Sequence, residues 1–109
     1  MQGTVERGVY GANTKILDIQ GGYKAVIYQD TAVVKFNDSR IILTAPDSAK
    51  TQTTKLRMNQ ASYQYNLGYM VVKIRGKWFV YSSYIAENGR LTKRDRIGAF
   101  DRHQYTIYR

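Results

Sequence analysis

Between Thr14 and Thr44 the chain is punctuated so often that only short extended segments fit. Four runs, Thr14–Gln20, Tyr23–Gln29, Ala32–Asn37 and Arg40–Thr44, are separated by Gly21-Gly22, Asp30-Thr31 and Asp38-Ser39. Each run is rich in Val, Ile and Tyr, and each break is one or two turn formers, the pattern of antiparallel hairpins in a meander. Alternation gives two faces per strand: Ala25 and Ile27 against Lys24, Val26 and Tyr28; Arg40, Ile42 and Thr44 against Ile41 and Leu43. Apolar residues stand on both faces, so part of this sheet is expected to be covered on two sides.

The loop Ala45–Lys50, with the single proline Pro46, ends the meander. Thr53 or Thr54 suits a helix N-cap, Leu56 to Asn66 has no β-branched residue, and Gly68 suits a left-handed helix end, which predicts one helix over Thr54–Leu67. At ~100° per residue, Leu56, Tyr63 and Leu67 form one apolar stripe and Met58, Ala61 and Tyr65 nearly the opposite one. Both stripes need cover, either from the sheet and the carboxy-terminal segment or from a second copy of the chain in a homo-oligomer. Tyr69–Arg75 and Trp78–Tyr84 around a Gly76-Lys77 turn read as a hairpin, followed by the Asn88-Gly89 turn signal and two weaker strands, Arg90–Thr92 and Gln104–Tyr108. The expected fold is α+β: one domain over 1–109, a mostly antiparallel twisted sheet of about six strands with one packed helix, in the order β-β-β-β-α-β-β and then the weaker strands. Residues 1–13 read as a flexible start and 90–109 as a basic carboxy-terminal segment.

Chemistry is sparse. The absence of cysteine excludes a disulfide scaffold, a thiolate zinc site and a cysteine nucleophile, and fits a reducing compartment. The lone histidine, His103, reads as a surface residue, and the eight acids stand singly along the chain. Asp30 and Asp38 fall at turns, where the side chain commonly bonds backbone amides. Neither GxSxG nor a Walker A loop occurs. No catalytic residue, metal site or cofactor is expected. Unbroken apolar runs such as Trp78–Tyr81 reach four residues, far too short for a membrane span, and no signal-peptide stretch opens the sequence, so a cytoplasmic protein without a membrane partner is expected.

The informative surplus is charge: 17 Lys+Arg against 8 Asp+Glu, a formal +9. Lys50, Lys55 and Arg57 bracket the predicted helix start, where the macrodipole disfavours cations, and Thr51, Thr53 and Thr54 add hydroxyls to the free amides there. Together these could hold a phosphate; solvated lysines around one threonine cap would look the same in sequence. Lys73, Arg75 and Lys77 place a basic face on the next strand and its turn, opposite Met70, Val72 and Ile74. Arg90, Lys93, Arg94 and Arg96, with Arg102 and Arg109, crowd the last twenty residues or so. Ten tyrosines supply flat faces for stacking bases; Tyr81, Tyr84, Tyr105 and Tyr108 lie nearest the basic residues, although core and cross-strand packing is the usual use of a strand tyrosine.

The segment Thr51-x-Thr-Thr-Lys-x-Arg-Met-Asn-Gln-Ala-Ser62, then Gly68-Tyr69 and the Lys-Trp-Phe-Val strand ending at Val80, resembles a pattern in small uncharacterised proteins of tailed bacteriophages. It covers about 30 of the 109 residues, and the Ala45–Ser48 loop departs from the Gly-Gly-Trp turn of those proteins. The resemblance implies a phage accessory protein expressed in a bacterial host and supplies no activity. From the residues, four roles stay open: a non-enzymatic nucleic-acid-binding protein, an inhibitor docking on an acidic surface of a host defence protein (anti-CRISPR-like), a sponge for a phosphorylated nucleotide messenger, and a minor virion component.

Overall fold

The computed structural model describes Val9 and residues 11–109. The chain is α+β, with eight strands and one helix in the order β1 (Thr14–Ile19), β2 (Tyr23–Tyr28), β3 (Thr31–Phe36), β4 (Arg40–Thr44), α1 (Gln52–Tyr65), β5 (Tyr69–Ile74), β6 (Lys77–Ile85), β7 (Leu91–Ala99) and β8 (Gln104–Tyr108). The strands form two antiparallel sheets, β1-β2-β3-β4-β8 and β5-β6-β7, rather than one. The expected order of elements is thus present, and both weaker strands are real. The difference lies in their destinations. Residues 90–109 form no single basic segment: β7 extends to Ala99 on the small sheet, and β8 crosses to pair with β4, Ile41 facing Ile107 and Leu43 facing Tyr105.

Two hairpin turns sit one residue earlier than the sequence pattern suggests. Gln29-Asp30 and Arg75-Gly76, rather than Asp30-Thr31 and Gly76-Lys77, are the two-residue loops, and all four have positive φ. This tight turn needs a left-handed conformation at both positions, which β-branched Thr31 resists and Asp30 and Gly76 accept. At the third turn it is Asn37, not Asp38, whose side chain accepts from the backbone, at Ser39 and Arg40 N–H.

The helix begins earlier than expected. Thr51 is its N-cap, its Oγ1 accepting from Thr54 N–H at 3.2 Å, and the left-handed residue that ends it is Asn66 rather than Gly68. Asn66 turns the chain so that Leu67 enters the core, while Gly68, also at positive φ, leads directly into β5. The helix packs on β2, β3 and β5, not on the carboxy-terminal segment. Its Leu56 is 43% exposed and Leu67 belongs to this chain's own core, so the stripe expected to meet a second copy is broken.

On the buried side, Met58 and Ala61 are joined by polar Thr54, Arg57, Gln60 and Ser62. These polar groups have partners. Arg57 Nε donates to Thr14 Oγ1 at 2.8 Å, Nη1 to Gln60 Oε1 at 3.4 Å, and the guanidinium lies 5.5 Å from the Tyr28 ring centre. A β-carbon on Gly11 would collide with that guanidinium. Val9 N–H donates to Gln64 Oε1, so the described part of the expected flexible start is tied to the helix, and residues 1–8 and 10 lie outside the described residues.

The helix also supplies hydrogen bonds to the small sheet. Asn59 brackets Val71, its Nδ2 donating to the Val71 carbonyl at 2.9 Å and its Oδ1 accepting from Val71 N–H at 2.8 Å. Ser62 Oγ does the same for both backbone groups of Tyr69. Side chains of α1 thus occupy the edge of β5 that β6 leaves unpaired, satisfying buried backbone groups and shielding an edge strand. The core runs between the sheets through Val34, Leu43, Met58, Tyr69, Val80 and Phe100.

A candidate nucleic-acid interface on the small sheet

Pairing register decides which side chains share the outer face of β5-β6-β7. Tyr69, Val71, Trp78 and Val80 point to the core. Their alternates point outward, Met70 opposite Tyr81 and Val72 opposite Phe79. Across β7, Tyr81 faces Arg96 and Ser83 faces Lys93, with register shifts on both sides of Tyr81. Ser82 holds the irregularity, its Oγ donating to the Asp95 carbonyl and accepting from Asp95 N–H. An extra residue in β7 therefore lets both Lys93 and Arg96 reach the face that carries Phe79 and Tyr81.

Each of these cations lies on a ring. The Arg96 guanidinium is 4.1 Å from the Phe79 centroid and 5.7 Å from that of Tyr81, and two of its nitrogens lie 3.3–3.4 Å from the Tyr81 hydroxyl. Lys93 Nζ is 4.9 Å from the Tyr81 ring centre. On the other side of the same hairpin, Arg94 is 4.3 Å from Tyr84, which is 39% exposed. Exposed cation–π pairs of this kind contribute about 0.5–1 kcal/mol each and fix the direction of otherwise mobile side chains. The ion pairs among the described residues, Lys24–Asp18 and Lys50–Asp47, lie elsewhere. Half-buried Met70, Val72 and Ile74 complete an outer face that is apolar along β5 and cationic along β7.

The other sequence candidates separate. Thr51 caps the helix and Thr54 and Arg57 turn into the protein, leaving only Thr53 and Lys55, both half-buried, of the proposed helix-start group. Lys50 leaves that group altogether: its side chain is 13% exposed, with Nζ 3.0 Å from Asp47 Oδ1, 2.8 Å from the Arg102 carbonyl and 5.0 Å from the Phe100 ring centre. The expected basic face of Lys73 and Arg75 is instead the core-facing side of β5, with Lys73 opposite Trp78 at its end and Arg75 in the left-handed turn. Arg90 is exposed beside the β6–β7 turn, near Met70, Leu91 and Lys93. Tyr105 packs 6.0 Å from Phe100 with its hydroxyl over Gly98, where any β-carbon would collide with it, and burial pushes its pKa up. Tyr108, 76% exposed, sits on the far sheet beneath Arg40. Sequence reasoning misses Phe79, Met70 and Val72 as surface residues: alternation sets them on the face opposite Trp78, Val71 and Val80, but which of two apolar faces meets solvent is not in the local pattern.

Among the described residues no three His, Cys, Asp or Glu converge on a metal-sized site, and no helix is long and apolar enough to cross a membrane. Comparison with protein-family models, curated proteins and solved structures finds no match for this chain.

Proposed function

We propose that this protein is a non-enzymatic binder of single-stranded nucleic acid that uses the outer face of β5-β6-β7, acting as an accessory protein of a bacteriophage in its host. The observation that carries the reading is the pairing of Arg96 with Phe79 and Lys93 with Tyr81 on one open sheet face. Rings two residues apart on a strand are separated by about 6–7 Å, a spacing that successive splayed bases can follow; bases would stack on the ring–cation pairs, the Arg96 guanidinium plane included, while the cations' remaining donors meet the phosphates. Arg96 retains N–H donors beyond those directed at the Tyr81 hydroxyl, as a stacked guanidinium presents its donors in plane. No acid is paired with Lys93 or Arg96 across this face among the described residues, so an anionic strand would relieve their mutual repulsion.

The test is fluorescence anisotropy of a labelled single-stranded oligonucleotide at about 50 mM salt. Lys93→Glu/Arg96→Glu should abolish binding, whereas Lys15→Glu/Lys55→Glu, with the same charge change elsewhere, should weaken it only modestly. Equal losses in the two variants would reduce the interaction to nonspecific net charge and defeat the proposed face.

A further inference from the structure

Beside this face, at the end where β5 turns into β6 and β7 ends, lies a cleft of about 520 Å³. Phe79 and Ala99, opposite each other on the outer face, also line the cleft, so the two surfaces are continuous. Its inner boundary is buried and aromatic. Trp78 and Phe100, 5% and 1% exposed, meet edge to face at 5.8 Å, and the Lys50–Asp47 pair closes one side. Lys73, on the core-facing side of β5, and Lys77, paired with outward Ile74, reach the lining from the two faces of the hairpin at its turn. Both are exposed, and neither has an acidic partner among the described residues. Asp101, also exposed, adds a carboxylate to the lining.

We infer that this cleft receives the terminal nucleotide of a bound strand, with its phosphomonoester between Lys73 and Lys77; the inference rests on the strand-binding reading above. Three features favour a phosphorylated end over an internal nucleotide. The wall formed by Lys50, Asp47, Trp78 and Phe100 makes the cleft a place where the track stops rather than passes through. The two unpaired lysines match the charge of about −1.5 to −2 on a monoester better than the single charge of a diester. The volume is within the range of about 300–1,000 Å³ usual for small-ligand sites and exceeds what a lone phosphate needs, leaving room for the sugar and base of a terminal nucleotide.

The experiment compares three internally labelled oligonucleotides of one sequence, ending in 5′-phosphate, in 3′-phosphate, or in hydroxyls at both ends. One phosphorylated end should bind the wild-type protein about tenfold more tightly than the hydroxyl-ended strand, and the preferred end gives the direction of the strand. Lys73→Gln/Lys77→Gln should erase that advantage while leaving hydroxyl-ended binding in place, and the wild-type advantage should shrink below pH ~6, where the monoester takes up its second proton. Equal binding of all three strands, or an advantage that survives the double substitution, overturns the terminal-phosphate inference alone. Failure of the hydroxyl-ended strand to bind overturns the strand-binding reading beneath it.

Discussion

Two regions of the molecule hold their cations in different ways. Around the five-stranded sheet, Lys24 pairs with Asp18, which raises its pKa through the hydrogen bond and charge of that carboxylate, and Arg57 is enclosed by Thr14, Gln60 and Tyr28. On the three-stranded sheet Lys93, Arg94 and Arg96 rest on aromatic rings and face solvent. A guanidinium buried among hydroxyl and amide oxygens holds the fold together; one laid on an exposed ring keeps its charge available. Arg40, exposed over Tyr108 on the five-stranded sheet, belongs with the second kind, so burial, not residue type, separates the two uses.

The sharpest way to break this comparison is to reverse a charge in each region. Arg57→Glu would place a carboxylate among groups arranged to accept from a guanidinium, and should destabilise the fold by about 3 kcal/mol or more, read as a fall in the denaturant midpoint. Arg96→Glu, on the open face, should cost only about 1 kcal/mol of stability, the worth of its ring contacts. A comparable loss from both would mean that the small-sheet cations are structural too.

Binding supplies the next effect. Tyr81→Ala should lose about 1–3 kcal/mol of strand affinity, the stacking energy of one base, whereas Tyr108→Ala on the far sheet should leave affinity unchanged in the same anisotropy assay. Asn59→Ala should cost about 1–3 kcal/mol of stability by orphaning the backbone groups of Val71, with faster hydrogen exchange at the Val71 amide as its signature.

Alkaline pH tests the joint between helix and small sheet. Tyr69 is fully buried, its hydroxyl donates to the Met58 carbonyl at 2.6 Å, and burial raises its pKa well above the ordinary value of about 10. The folded state then keeps a proton that the unfolded state gives up, so this contribution is intact below pH ~10 and declines above it by about 1.4 kcal/mol per pH unit. Tyr69→Phe should flatten that part of the stability profile. Smallest is the helix start: Thr51→Ala should cost about 1 kcal/mol of stability through the lost cap, without changing strand affinity.

The meander and the helix were legible because turn formers and β-branched runs are local signals: β1 to β4 fall within a residue or two of the sequence pattern. Two things were not local. The separation into two sheets depends on β8 returning to β4 across more than sixty residues, which no short pattern encodes. The polar inner side of α1 also defeats an apolar-stripe reading, because Asn59 and Ser62 serve as backbone partners for β5 rather than as solvent-facing residues. At the candidate interface Lys93, Arg94, Arg96, Tyr81 and Tyr84 were recognisable from charge and composition. Phe79 was not, since whether an aromatic strand residue faces core or solvent depends on register, and β7 carries an irregularity on either side of the Tyr81 pair. The helix-start group failed for a related reason: a cation at an exposed-looking position, Arg57, had a buried destination across the chain at Thr14.

The most direct measurement of where a strand binds is a titration of the isotope-labelled protein with a short single-stranded oligonucleotide, followed through backbone amide chemical shifts. Binding on the small sheet moves the amides of Phe79–Tyr84 and Lys93–Arg96 together and leaves Thr51–Lys55 and β1–β4 near their starting positions. Shifts concentrated at the helix start or on the five-stranded sheet, or no shifts at all, would contradict the assignment of the interface to β5-β6-β7.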